Sequence, residues 1–114
     1  MAASARDLET RRAVLLLELA RTPDMRPGSI TEAFRRCGKD FCRCARKGDR
    51  GHGPYFAYTL KVDGRTRTIQ LREGPLLDRI RREVSAYRRF RETCQKLVEV
   101  SQALCEARAS RRPA

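Results

Sequence analysis

A chain of 114 residues has the length of one domain with a modest core, not two, and none of it approaches the run of about 18 apolar residues that a membrane helix needs. With 26 Lys and Arg against 14 Asp and Glu it carries a net charge of +12, and in a small domain such a surplus points to a polyanionic partner, most often nucleic acid. Five cysteines is an odd number, and Met1 to Ala20 carries Arg6, Asp7, Glu9, Arg11 and Arg12. A secreted disulfide framework is thereby disfavoured, and the expected setting is soluble, cytoplasmic and reducing, with no membrane contact.

The surplus charge is uneven. Residues 1–27 carry +1, residues 28–72 carry +7 and residues 73–114 carry +4, so the central segment is the expected contact surface. All but four of the basic residues are Arg, whose forked guanidinium suits phosphate and guanine edges, although a GC-rich genome would favour Arg codons without any such role.

Residues 5–20 are predicted to be a helix. Leu8, Leu15, Leu16 and Leu19 recur at helical spacing, with Arg6, Glu9 and Arg12 on a polar side. The apolar stretch from Ala13 to Leu17 runs most of the way round, which implies more than one packing neighbour. Thr22-Pro23 and Arg26-Pro27-Gly28 stop the helix. Ser29 to Cys37 fits either a short strand or a helical turn. A strand is preferred, because the hairpin that follows needs a third strand to be stable.

Between these elements and the hairpin lies the stretch with the most chemistry. Cys37, Cys42, Cys44 and His52, the chain's only histidine, fall within sixteen residues at C-x4-C-x-C-x7-H spacing. A closed tetrahedron of thiolates and imidazole is what structural Zn²⁺ prefers, and binding worth on the order of 10 kcal/mol can order a polar, Gly-rich loop that has no core of its own. The spacing lacks the usual C-x2-C pairs. Free thiols with an ordinary loop histidine are the alternative, and disulfides a weaker one. Only Phe41 and Ala45 supply apolar neighbours, among Lys39, Asp40, Arg43, Arg46 and Lys47, so burial of free thiols is poorly supported.

The hairpin is predicted over Tyr55 to Val62 and Arg65 to Leu71, joined by Asp63-Gly64, a two-residue turn that favours positive φ. This pairing sets Val62 opposite Arg65, Leu60 opposite Arg67, Tyr58 opposite Ile69 and Phe56 opposite Leu71. The apolar face must pack on something. Tyr55, Thr59, Lys61, Thr66, Thr68 and Gln70 line the other face, which could meet a phosphate backbone or simply be solvated.

From Pro75 to about Arg108 the pattern is helical, with Pro at the first position and Asp78 in the first turn. Leu77, Ile80, Val84, Tyr87, Cys94 and Val98 alternate steps of three and four, with Arg91, Ser101 and Cys105 completing a heptad seam. A helix of this length suggests a homodimer in which the seams meet, with the first helix alongside. Cys94 and Cys105 read as small core residues rather than ligands. Ser110 to Ala114 reads as a basic tail. The expected fold class is therefore α+β: an N-terminal helix, a small zinc-stabilised hairpin or three-stranded element, and a long C-terminal helix, in a single domain.

The string Arg35-Arg36-Cys37-Gly38-Lys39, Cys42-Arg43-Cys44-Ala45, His52-Gly53-Pro54-Tyr55 and Val62-Asp63-Gly64-Arg65-Thr66, followed by Tyr87-Arg88-Arg89-Phe90-Arg91, resembles a family of short bacterial and archaeal proteins of unassigned function. Its members carry an RRCGKxxCRCA, HGPY and VxGKT signature and a long C-terminal helix, and are often encoded near transposases and other mobile-element genes. The resemblance covers about residues 28–105. It implies a compact Cys/His element and a mobile-DNA setting, but no activity. The chain departs from the signature at Arg65, where Lys is common, and in a longer Arg46-to-Arg50 insert before His52.

The leading expectation is a non-enzymatic nucleic-acid-binding protein, with DNA ahead of RNA, accessory to transposition or recombination and nucleoid-associated. Zn²⁺ on Cys37, Cys42, Cys44 and His52 would gather Arg35, Arg36, Lys39, Arg43, Arg46, Lys47 and Arg50 onto phosphates, with Lys61, Arg65 and Arg67 extending the footprint. Tyr55, Phe56 and Tyr58 resemble a stacking set, but Phe56 and Tyr58 are needed on the packing face, so of these only Tyr55 is expected to be free, which favours duplex over single strands. A second class is a helical adaptor that dimerises or docks on a transposase or recombinase. An enzyme ranks last, since the acids are scattered. Were His52 not a ligand, Glu32 or Asp49 would be the candidate base.

Overall fold

The computed structural model describes residues 3–110. Its order is helix, three antiparallel strands and long helix: α1 (Ala5–Ala20), β1 (Ser29–Arg35), β2 (His52–Val62), β3 (Arg65–Leu71) and α2 (Pro75–Ala109). The expected α+β architecture is the observed one. Of the basic tail, residues 111–114 lie outside the described residues. The chain divides into two compact units, one formed by residues 26–84 and the other by the described residues up to Met25 together with those from Ser85 on.

In the first of these units the strands form one sheet in the order β1-β2-β3. The Asp63-Gly64 turn has φ of 53° and 78°, the left-handed pair that a two-residue hairpin needs, and Gly64 adopts it without a Cβ penalty. It fixes the expected register, from Val62 opposite Arg65 to Phe56 opposite Leu71. The ambiguous segment is a strand: Ser29 pairs with Thr59 and Glu32 with Phe56 before the register shifts between Ala33 and Arg35, after which Arg35 pairs with His52. That last pair starts β2 three residues earlier than predicted, so His52 sits on a strand and not in a loop.

One face of the sheet is covered by the first turns of α2. Phe56, Tyr58 and Leu71 pack with Leu77, Ile80 and Val84, flanked by Ile30 and Leu60. Tyr58 is 2% exposed, and its hydroxyl donates to the Pro27 carbonyl. Arg26 is tied to the same helix by a salt bridge of 3.0 Å to Glu83, and its guanidinium lies over the Tyr58 ring.

In the other unit α1 starts at Ser4, whose hydroxyl accepts the Asp7 N–H, and ends at Arg21 ahead of Thr22-Pro23. Ala5 and Leu8 pack with Val100 and Leu104 of α2, joined by Leu15, Ala103 and Ala107. Arg108 reaches Glu9 at 3.2 Å.

Part of the predicted seam is covered within the chain. Leu77, Ile80 and Val84 are taken up by the chain's own sheet, which needs their apolar face to cover Phe56 and Tyr58. Toward the C-terminus the buried positions are Val100 and Leu104, while Val98 is 59% exposed. Tyr87 and Cys94 are half-buried. Cys105, expected in a core, is exposed, because the buried stripe passes one residue earlier through Leu104. Nor does α1 find a second neighbour among the described residues for Val14, Leu16 and Leu17, which are 51%, 49% and 57% exposed.

Candidate metal centre and its basic surroundings

The register shift near Phe34 carries β1 to Arg35, paired with His52, so Cys37 follows two residues beyond the point where β2 begins. The connection then doubles back twice. The Cys42 N–H bonds to the Lys39 carbonyl at 3.2 Å, and the Ala45 N–H to the Cys42 carbonyl at 3.0 Å, closing a short 3₁₀ turn over Arg43–Ala45 that buries Cys44. Return to the sheet depends on Gly51. It has φ of 93°, and a Cβ there would lie 2.8 Å from the Arg35 carbonyl oxygen, so only glycine fits against β1.

These constraints bring together all four residues singled out by spacing. One donor atom from each of Cys37, Cys42, Cys44 and His52 lies within 4.8 Å of the others. Cys37 Sγ is 3.5 Å from Cys44 Sγ, and Cys42 Sγ is 3.1 Å from His52 Nε2. Around a metal with bonds of about 2.3 Å to sulfur, tetrahedral ligands stand roughly 3.8 Å apart, so the cluster has the dimensions to hold one ion. Three sulfurs and an imidazole suit a borderline-soft transition metal, whereas Ca²⁺ and Mg²⁺ require oxygen. The five cysteines form no disulfide.

The backbone around the cluster favours thiolate. The Cys44 N–H first, then the Cys44 thiol, against opposition from burial, and with help from Cys37 and His52, bring the Cys42 thiol down to about 6. At Cys44 the Cys37 N–H, 3.4 Å from its sulfur, works downward, but burial and the neighbouring Cys37 and Cys42 sulfurs outweigh it and the net shift is upward. One thiol of the set is thus readily ionised and the deepest one resists ionisation unless a cation joins it.

Asp49 organises the second half of the connection. Its carboxylate accepts the Gly51 N–H at 2.7 Å and pairs with Arg43 at 3.2 Å, while Arg36 donates to its backbone carbonyl. The Gly51 N–H, then Arg43 and Arg36, hold its carboxyl below the usual range. A carboxylate so held is a poor base, and Glu32, the other candidate, lies in β1 opposite Phe56.

The ten basic residues expected to contact nucleic acid are exposed, but they do not act alike. Lys39, Arg46 and Lys47 have no salt bridge among the described residues, whereas Arg43 and Arg36 are partly engaged with Asp49. Arg35 lies over the Tyr55 ring and Arg50 over Phe34. Lys61 is on the open face of the sheet. Arg65 and Arg67 pair with Val62 and Leu60 and so belong to the opposite face; these three cations do not make one continuous footprint. Phe56 and Tyr58 are buried and Tyr55 is 44% exposed, as expected of those three rings, but sequence reasoning missed Phe41, which is 88% exposed. Its signal was legible as the lone aromatic in a loop with no apolar neighbours to bury it.

No helix among the described residues is long and apolar enough to cross a membrane. No curated protein and no solved structure matches the chain at a significant level. A family model described as "Domain of unknown function (DUF6788)" matches residues 5–82, which span α1, the Cys/His connection, the sheet and the start of α2, and the chain belongs to that family.

Proposed function

We propose that the protein is a non-enzymatic, zinc-stabilised nucleic-acid-binding module, with DNA as its ligand and an accessory role in a mobile element. The observation that carries this reading is a Cys₃His cluster inside a connection crowded with exposed cations, Lys39, Arg43, Arg46 and Lys47. Zinc bound by Cys37, Cys42, Cys44 and His52 supplies structure rather than chemistry, because all four tetrahedral positions are filled by protein. The loop then presents its cations in fixed positions, which lowers the entropy lost when they meet phosphates. Phosphate contacts of this kind give affinity and register, not sequence choice. The mobile-element role rests on the signature shared with proteins encoded beside transposases. Asp49, one of the two candidate bases, is engaged by Gly51 and Arg43, which favours a binding role over an enzymatic one.

The test is a titration of zinc-loaded protein with labelled DNA at two salt concentrations, alongside metal analysis. One zinc per chain and an affinity that falls steeply with salt, by nearly one logarithmic unit per phosphate neutralised for each tenfold rise in salt, support the reading. Protein that takes up no zinc, or zinc-loaded protein that ignores DNA at low salt, refutes it.

A second reading, self-association, is favoured by a specific observation. In the unit containing α1, an open groove of about 500 Å³ is lined by Tyr87, Phe90, Arg91, Cys94, Gln95 and Val98, and Val14, Leu16 and Leu17 are exposed in the same unit. A second copy packing there would cover the part of the seam that the chain's own sheet leaves free. A dimer in sedimentation that Val98→Asp converts to a monomer supports this, and a monomer at all concentrations refutes it.

A further inference from the structure

Phe41 has the most exposed large apolar side chain of the Cys/His connection, and nothing in the connection covers it. Its backbone is fixed from both sides. The Cys42 N–H to Lys39 carbonyl bond closes a turn with Phe41 at its third position, and the next residue is Cys42, one of the four clustered donors. An aromatic ring is thereby displayed on a short, constrained turn.

The surroundings select what can cover it. Lys39 Nζ lies 5.8 Å from the ring centroid, and Arg43, Arg46 and Lys47 are exposed nearby in sequence, against one acid within the turn, Asp40. An apolar pocket on a protein would have to desolvate these cations along with the ring. A nucleic acid meets both demands at once, with phosphates for the cations and the flat face of a base for the ring. In an intact duplex the base faces are already stacked on one another, and a ring enters only by unstacking a step. A base that is unpaired carries no such cost.

We infer that Phe41 is a stacking residue for an unpaired base, and that the protein prefers single-stranded or locally opened DNA to intact duplex. This rests on the nucleic-acid reading above and makes it more specific: the cations hold the backbone, and the ring selects strands whose bases are free.

The chain has no tryptophan, so Phe41→Trp installs a single tryptophan at the position in question, whose emission is excited selectively over that of the three tyrosines. With zinc-loaded full-length protein, its emission is recorded against a single-stranded oligonucleotide, a blunt duplex of the same sequence and anionic phospholipid vesicles, and affinities of the wild type and Phe41→Ala are measured for both DNA forms. Expected are emission quenching by the single strand and not by the duplex or vesicles, and a loss of single-strand affinity on the order of tenfold in Phe41→Ala with duplex affinity changed less than about twofold. If the wild type binds DNA but Phe41→Ala loses nothing on single strands and the fluorophore does not respond, the stacking role is overturned while the nucleic-acid reading stands. If the wild type binds neither DNA form, that reading falls and this one with it. A response to vesicles alone overturns both in favour of a membrane surface.

Discussion

Cys42 Sγ and His52 Nε2 lie 3.1 Å apart although nine residues separate them in the chain, and the intervening segment contributes only Cys44 and Gly51 to the interior. A loop with so little apolar burial is held by whatever joins its ends. Cys42→Ala is therefore expected to lose bound zinc and to raise backbone amide exchange across residues 37–52 while leaving the sheet protected. Cys94→Ser and Cys105→Ser, outside the cluster, are expected to keep one zinc per chain. Elemental analysis with hydrogen exchange on the three variants checks this.

Asp49 makes the loop sensitive to acid in a defined direction. Its folded pKa is depressed by the Gly51 N–H, Arg43 and Arg36, so its contribution is fully present above the ordinary carboxylate pKa and is lost as pH falls through the lower folded value. Asp49→Asn should release zinc to a chelator several-fold faster than wild type near neutral pH. The gap in melting temperature between the two proteins should be constant above about pH 5 and close below about pH 4.

Gly51 combines a φ of 93° with a close approach to the Arg35 carbonyl. Gly51→Ala is expected to cost roughly 1–3 kcal/mol through that strained conformation and contact, and to displace the neighbouring His52. A lowered melting temperature together with weaker zinc retention is the predicted result. Gly48 has a similar positive φ, 90°, but a Cβ there meets nothing within 4 Å, so Gly48→Ala should share the loss of stability while retaining zinc.

Leu104 and Val98 distinguish packing within the chain from the proposed packing on a second copy. Leu104 is 1% exposed and Val98 59%. Leu104→Ala should cost about 2–5 kcal/mol in denaturant unfolding. Val98→Ala should change monomer stability by no more than about 0.5 kcal/mol, and any larger effect should appear only as a concentration-dependent loss of association.

Much of this was legible in the residues, because local rules decide it. Asp63-Gly64 fixes the hairpin and its register, proline and the heptad-like steps fix α2, and the C-x4-C-x-C-x7-H spacing identifies the cluster. Ser29 to Arg35, without a decisive periodicity of its own, was still legible as a strand from the hairpin's need for a third one, and β2 supplies its ladder. What escaped depends on partners distant in sequence. A heptad count cannot tell a seam facing another copy from one covered by the chain's own sheet, as at Leu77 to Val84, or followed by a stripe displaced to Leu104. Arg65 and Arg67 are instructive in the other direction. The pairing arithmetic already set them opposite Val62 and Leu60, on the face away from Lys61, so their separation from it could have been read beforehand.

The account's central claim is that metal binding at Cys37, Cys42, Cys44 and His52 organises the surface that holds nucleic acid. The most direct measurement is DNA affinity at fixed salt for one preparation as purified, after zinc removal by a chelator, and after zinc is restored. The account predicts a loss of at least about tenfold on removal, equivalent to about 1.4 kcal/mol, and full recovery on restoration. Unchanged affinity in the metal-free protein, with its helices and sheet intact, would contradict it.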